Sequence, residues 1–403
     1  MDFEREYDVL VAGGGVAGVA AALEAARAGL KTALVEKTIL VGGLATAGLI
    51  NVHVQLCDGC GHQVIYGIAE EMVRLSLKYG PGEIPAGWRG GGEGERREPY
   101  IVRFSPASFV LGLDEALEKA GVALWLDTLA CQPVMHGKKV VGLEVENKSG
   151  RGVLKAKCVV DATGDADVAY RAGAECVEAD NWLSFWAVQV SCETAPHVAL
   201  LPGRANQVGM VRLGAGPSGH DMPPSAAKLY GSDAEQVTRF ALEGRRLLRK
   251  YYQEQYAGGK FSRHDLYPVT LPTQAQFRTT RRVVGLETLA DGQHGKHAPT
   301  SVGVVADWRK AGHVWEIPYG TLVPREITGL LVAGRCISTE RDAWEVTRVI
   351  PPAALTGQVA GLAARLAVQH DTTPDRLDVR DIQGELRRRG VPCHIEDVKC
   401  PEP

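Results

Sequence analysis

YDVLVAGGGVAGVAAALEAARAGLKTALVEK, residues 7–37, opens on an apolar, β-branched run from Tyr7 to Ala12 that has the composition of a buried strand. Residues 16–28 follow as alanine, valine and leucine broken only by Glu24 and Arg27 and the small Gly18, which predicts a packed helix ended by Gly29. A second strand runs from Lys31 to Val35. The result is a βαβ unit. Its turn carries Gly13-x-Gly15-x-x-Gly18, and Glu36 stands at the tip of the second strand, 21 residues after Gly15. Gly13 permits a tight turn, Gly15 lets a pyrophosphate approach the backbone at the helix N-terminus, and Gly18 lets helix and strand pack closely. Val16 and Ala17 belong to the same helix start, and Glu36, with Lys37 beside it, is placed to accept hydrogen bonds from a ribose diol. A second match, Gly214-x-Gly216-x-x-Gly219, runs into His220-Asp221-Met222-Pro223-Pro224, which does not open a helix, and is read as a loop. With one dinucleotide turn, a pyridine-nucleotide-disulfide reductase architecture is disfavoured.

The rest of the composition is that of a globular chain, neither disordered nor fibrous. The 403 residues carry 45 Lys+Arg against 48 Asp+Glu, a formal charge of −3, so no nucleic-acid or membrane-surface partner is expected. With 45% apolar and 23% charged residues, the chain can bury a full core. Forty-seven glycines exceed the usual share of roughly 7%, so much backbone must turn sharply or lie close to something. No cationic segment leads into a long apolar stretch near Met1, so no signal peptide is expected and a soluble, cytoplasmic protein is. The nine cysteines are odd in number and scattered, which reads as reduced thiols.

Three later segments bear on which dinucleotide is held. Val41 to Gly48, VGGLATAG, is a glycine-rich loop. Cys158 to Asp165, CVVDATGD, places small residues at the carboxyl end of a strand, where open α/β sheets bind ligands. Gly329 to Ala333 is a buried strand ending in Gly334-Arg335-Cys336, and RVIPPAALTGQVAG follows at residues 348–361 as the start of a helix reaching Val368. This order of motifs, from Tyr7 to about Val368, resembles the FAD-dependent oxidoreductase family of the glutathione-reductase fold type, distantly related to fumarate reductase and succinate dehydrogenase flavoproteins. The resemblance implies an α/β fold: a Rossmann-like FAD-binding domain with a parallel sheet and a β-meander, plus an inserted α+β substrate domain. It implies FAD as cofactor, held by the first turn and Glu36 and further by Gly43, Leu44, Ala45, Thr46, Ala130, Ala162, Thr163, Gly164, Gly334, Arg335, Ala354, Gly357 and Gln358. The positive N-terminal end of the last helix is expected to face the flavin's N1–C2=O edge.

The expected organisation is a first part of the FAD domain over residues 1–175, a substrate domain over 176–313, a second part of the FAD domain over 314–370, and a short docked tail over 371–403. Within it, helical spacing covers Gln63 to Tyr79, Ser105-Pro106 caps a helix that ends at Gly121, and Val122 to Lys157 alternates as the meander. The glycine-rich, charged run from Ala86 to Glu98 reads as a mobile loop or lid edge. Ser232 to Glu235 is a capping box that opens a helix to about Tyr256, whose Arg245, Arg246, Arg249 and Lys250 read as a solvated face.

Flavin chemistry asks the protein for orientation, a proton carrier and groups that hold the substrate. Arg348, just before the last helix, is the first candidate to touch substrate. Arg281, with Arg278 and Arg282 in the same run, is a second, because guanidinium groups fix a carboxylate or hydroxylated substrate bidentately. For proton transfer, His264 and His297 are candidates beside His294. Cys57-Asp-Gly-Cys60-Gly-His62 lacks the histidine placement of a haem site and is half of a structural zinc set; two reduced thiols are the favoured reading, and no metal is expected. Cys393-His394 and Cys400 would complete a metal site only if the tail folds back.

The expected activity is hydride transfer between a small polar organic substrate and flavin N5, with the electron acceptor open and a homo-oligomer allowed. The alternatives are fumarate-reductase-like reduction of an activated alkene and, from the early glycine turn alone, a thiazole-synthase-like transferase. The late Gly334 to Gly361 motif argues against the last. A subunit that holds flavin for a partner protein is a further, non-catalytic reading.

Overall fold

The computed structural model describes residues 1–85, 101–200, 209–216 and 228–398. The stretch Ala86 to Glu98 and residues Gly219 to Pro224 lie outside them.

The first strand, β1 (Phe3–Ala12), the helix α1 (Val16–Arg27) and the second strand, β2 (Thr32–Val35), form the βαβ unit where the sequence places it. The strands are parallel, with Val9 opposite Thr32 and Ala12 opposite Val35. Residues 16–26 of α1 are all buried, Glu24 included, so a small-residue helix can lie flat on the sheet. Gly29 leaves the helix with φ +86°, a left-handed conformation that glycine adopts without strain.

Outward from β1 the sheet runs through β2 to Ala123–Trp125 on one side and to the twelve-residue strand Gly150–Asp161 on the other. That long strand has two jobs. Its first half, Gly150 to Lys155, closes an antiparallel meander with Lys139–Asn147 and Leu129–His136, and its last residues, Val159 to Asp161, pair in parallel with Leu330–Val332. The meander thus starts at Leu129; Ala123–Trp125, which alternation alone assigns to it, is instead the parallel edge strand next to β2.

Ser105 caps the helix Pro106–Ala120, and Gly121 ends it at φ +72°. The Gln63–Tyr79 segment is helical only over Ile68–Leu77. The helix Ala234–Ala257 is capped by Asp233, whose Oδ1 accepts from Gln236 N at 2.9 Å, one residue later than the Ser232 pattern. Its Arg245, Arg246, Arg249 and Lys250 are exposed. Gly214 is the last residue of the strand Met210–Gly214 and pairs with Ser184.

Among the described residues, buried apolar side chains collect in three groups. The main core joins α1, the central sheet and the last long helix, Ile350–Gln369. Two smaller clusters, Phe185 with Val211, Leu248 and Leu266, and Phe240 with Leu229 and Phe277, belong to the inserted segment. From Val283 onward the chain rejoins the main core. The tail is docked: Gln383 Nε2 donates to Pro299 O and Ser301 O at 2.9 Å each, from the helix Val379–Arg388. No helix among the described residues is long and apolar enough to cross a membrane.

The helix Ile350–Gln369 crosses α1 at backbone-contact distance. A Cβ at Gly357 or Gly361 would overlap Ala17 O or Ala21 O. Gly361→Ala removes a residue that costs a helix roughly 1 kcal/mol, yet its methyl cannot be accommodated without moving α1, an overpacking worth about 1–3 kcal/mol. Urea unfolding is therefore expected to show a net loss of up to about 2 kcal/mol; greater stability would mean that the crossing has slack.

Candidate functional site

Gly13, at φ +96°, is folded so tightly against the strand end that a Cβ would sit 2.5 Å from Ala162 O. A Cβ at Gly18 would overlap Gly13 O, which keeps α1 close under the turn. Gly15 differs: nothing lies within 4 Å of where its side chain would be. It is also the N-cap of α1, and no side chain caps that helix. The first N–H groups of α1 therefore point at open space, the arrangement that binds a phosphate at a helix N-terminus.

That space is a cavity of about 370 Å³ at the carboxyl ends of the parallel strands, within the usual size range of small-molecule sites. Glu36, Lys37, Thr128, Leu129 and Ala130 close one end. Gly13, Gly15, Val16 and Ala17 on one side and Gly43, Leu44 and Ala45 on the other form the middle, with Ala162, Thr163, Gly164, Gly334 and Arg335. Arg348, Ile350, Ala353 and Gln274 also line it. Val35, Gly42, Asp167, Arg171 and Ala333 complete the wall.

Glu36 is buried, and its carboxylate accepts from Gly14 N at 2.7 Å and Thr38 N at 2.9 Å. Each oxygen keeps a second lone pair for a hydroxyl donor. Asp161 shapes the opposite wall: one oxygen accepts from Thr163 N and Oγ1, the other from Ala169 N. Burial raises its pKa above the ordinary carboxylate value, those three donors opposing. Arg335 ties segments together. It donates to Gly164 O at 2.8 Å, Phe277 O at 2.6 Å and Asp165 Oδ1 at 2.5 Å, so the cavity wall and the inserted segment share one guanidinium.

The last helix presents its start to the cavity through Ile350 and Ala353. Pro351 and Pro352 have no N–H, and Ala353 N donates to Val349 O. Of the first-turn donors only Ile350 N–H remains, so positive charge at this end comes mostly from Arg348 and the helix dipole.

Other candidates stand elsewhere. Gly18 and Thr46 lie behind the wall, Thr46 Oγ1 donating to Val41 O at 2.6 Å. Ala354 is fully buried, Gly357 faces Ala17 on α1, and Gln358 Oε1 accepts from Ile68 N at 3.0 Å, so these three hold the helix rather than line the cavity. Arg281 pairs with Glu178 at 3.4 Å and Asp167 at 3.5 Å and stacks on Tyr170; Arg282 pairs with Glu340 at 3.2 Å. His264, His294 and His297 are absent from the cavity lining. Cys57 is buried, and burial, then Asp58, pushes its thiol up to about 12, an unreactive range; Cys60 and His62 are arranged around Asp58.

The sequence names Arg278 only as a neighbour of Arg281 and Arg282, yet it is the cation that matters beside Arg348. Its guanidinium stacks on Trp182, 5.0 Å from the ring centroid, and donates to Ser184 Oγ at 3.4 Å. Among the described residues it has no ion-pair partner. Burial, and then the like charge of Arg348, lowers its pKa to about 10. Arg348 is paired with Glu345 through Nε at 3.1 Å and through Nη2. No local signal separates Arg278 from Arg281 and Arg282; only the burial pattern does.

A sequence profile described as FAD dependent oxidoreductase matches residues 8–187 and 202–386. The digeranylgeranylglycerophospholipid reductase of Picrophilus torridus is 30% identical over 171 residues, 40% of either chain, and that of Thermoplasma volcanium is 29% identical over 170 residues, 39% of either chain. The match thus spans about two fifths of these relatives' length. A solved geranylgeranyl bacteriochlorophyll reductase-like protein from Thermoplasma acidophilum aligns over 96% of this chain and 84% of its own at TM-score 0.51 and 15% identity, a likeness of fold.

The donors at α1, the open space at Gly15 and the acid at Glu36 fit the ADP half of FAD. Glu36→Ala is expected to weaken FAD binding at least about tenfold, the loss of one strong hydrogen bond to a charged group, with far-ultraviolet dichroism unchanged. Wild-type affinity in that variant would remove Glu36 from the cofactor site.

Proposed function

This chain belongs to the FAD-dependent oxidoreductase family, and we propose that it oxidises a small polar organic acid at a CH–OH, CH–NH or CH–CH bond. When bound, FAD supplies the hydride acceptor at N5; the chain's own residues supply position and charge.

The observation that carries this reading is the arginine pair. Arg278 and Arg348 stand near enough to affect one another, and Glu345, which is hydrogen-bonded to Arg348, acts on Arg278 only through space. A partly buried guanidinium without a counter-ion is costly, and an anion brought by the substrate removes that cost. Arg348 also lines the cofactor cavity, at the end where the last helix begins. A carboxylate held there by two guanidinium forks would leave the neighbouring carbon facing the cavity. Trp182 fixes the plane of Arg278, and Ser184 offers a hydroxyl to a second polar group of the substrate. Fixed positive charge at this end also favours an anionic reduced cofactor.

The reverse direction, reduction of an activated alkene, is the second reading. It is favoured by the reductase names of the two archaeal relatives. Their lipid substrates are not carried over, because the likeness covers two fifths of either chain and the arginine pair suits a small anion.

An anaerobic screen separates these readings. Organic acids with an oxidisable carbon near the carboxylate should bleach the flavin, and their neutral amides should do so at least about tenfold more slowly. Arg278→Lys, which keeps the charge and loses the fork, should lower kcat/KM for the acid at least about tenfold, or 1.4 kcal/mol, with FAD affinity unchanged. Equal rates with acid and amide, or bleaching by neutral lipids alone, would overturn the assignment.

A further inference from the structure

His297, which does not line the cofactor cavity, stands instead beside Glu316 and His394. His394 Nδ1 is 2.9 Å from Glu316 Oε2, His297 Nδ1 is 3.7 Å from the same oxygen, and all three candidate ligand atoms lie within 4.8 Å of one another. Glu396 Oε1 is 3.5 Å from His297 Nδ1. Glu316 is 2% exposed and, among the described residues, its only charge partners are the two imidazoles. Its oxygens also accept backbone N–H groups, Ala298 N at Oε2 and Ile395 N at Oε1, each at 2.8 Å. The carboxylate is thereby oriented, with Oε2 directed at the two rings.

We propose that His297, Glu316 and His394 bind a divalent transition metal of the zinc class, with Glu396 as an outer fourth ligand. Two imidazoles and carboxylates are the donor set that zinc takes. A tetrahedral zinc with ligands about 2.0–2.2 Å away needs ligand atoms roughly 3.3–3.5 Å apart; the separations of 2.9 and 3.7 Å at Oε2 straddle that value. Gln383 Nε2, whose hydrogens go to Pro299 O and Ser301 O, stands 3.5 Å from His394 Nε2, and Nδ1 is the ring nitrogen turned toward Glu316. The two ring centroids are 4.6 Å apart, and Nδ1 of each ring is 2.9 or 3.7 Å from Glu316 Oε2. A dication meets both carboxylates and both rings at once.

The ligands come from three places: the segment before the strand Ser301–Ala306, the strand Val314–Pro318, and the tail. The tail does fold back, but His394 meets Glu316 rather than the Cys57 loop. Bound metal would clamp the tail onto the strand pair, next to the hydrogen bond from Ser301 Oγ to Cys393 O. Its effect is on stability, independent of the flavin reaction.

Chelator-treated, FAD-loaded full-length protein titrated with zinc chloride by calorimetry should bind one equivalent at this site, and zinc should raise Tm. His297→Ala removes a mostly exposed ring without opening the core, and should weaken zinc at least about tenfold and abolish the Tm rise, as should His394→Ala. The absence of zinc binding by the wild-type chain, or binding retained in His297→Ala, as a site at Cys57, Cys60 and His62 would give, overturns the proposal. Identical melting of the wild-type chain with and without zinc does so as well, leaving a metal-free histidine–glutamate pair.

Discussion

The start of α1 can lie where it does only because backbone touches backbone on three sides of it. Gly13 turns against Ala162, Gly18 lies under Gly13 O, and Gly357 of the last helix meets Ala17 O. A methyl at any of these positions would overlap main-chain atoms, which cannot move independently. Because the helix is pulled in so far, its N-terminal N–H groups reach the open side of the turn at Gly15, and the cavity follows from that.

Around this constraint the remaining walls are supplied by distant parts of the chain. The long strand Gly150–Asp161 brings Ala162 to Gly164 to the cavity on one side while closing the meander with its other half. Arg335 then fastens the inserted segment to that strand end through Phe277 O. It is spent on this junction, with Asp165 beside it, as Arg281 is spent on Glu178 and Asp167. Arg278, in the same run as Arg281 and Arg282, has no such partner among the described residues. Which arginine is available for a ligand is therefore decided by what else each one touches, not by its place in the sequence.

The same distinction sets what could be read from the sequence. The βαβ unit, the Gly121 stop and the turn roles of Gly13, Gly15 and Gly18 are local consequences of glycine and apolar spacing, and they are found at their predicted places. Helix limits were less legible: Asp233, not Ser232, caps its helix, and Ala123–Trp125 pairs with β2 because alternation does not reveal which neighbour a strand takes. At the site, residues on the motif backbones line the cavity, whereas Gly357 and Gln358 turn toward α1 and Ile68. Gln274 had no periodic or motif signal, and Arg278 was named only within the run from Phe277 to Gly285; packing of distant segments sets the surroundings of both. His297 was legible as a titratable residue, but its partners lie 19 and 97 positions away.

The central claim is that the cavity holds FAD with its adenosine end at Glu36 and its reactive ring at Arg348. Diffraction from crystals of the FAD-loaded protein tests it most directly. The account predicts density for the pyrophosphate over Gly15 and the N-terminus of α1, and for the flavin ring beside Ile350, Ala353 and Arg348. A flavin ring lying at Thr128 to Ala130 instead, or FAD bound outside this cavity, would contradict it.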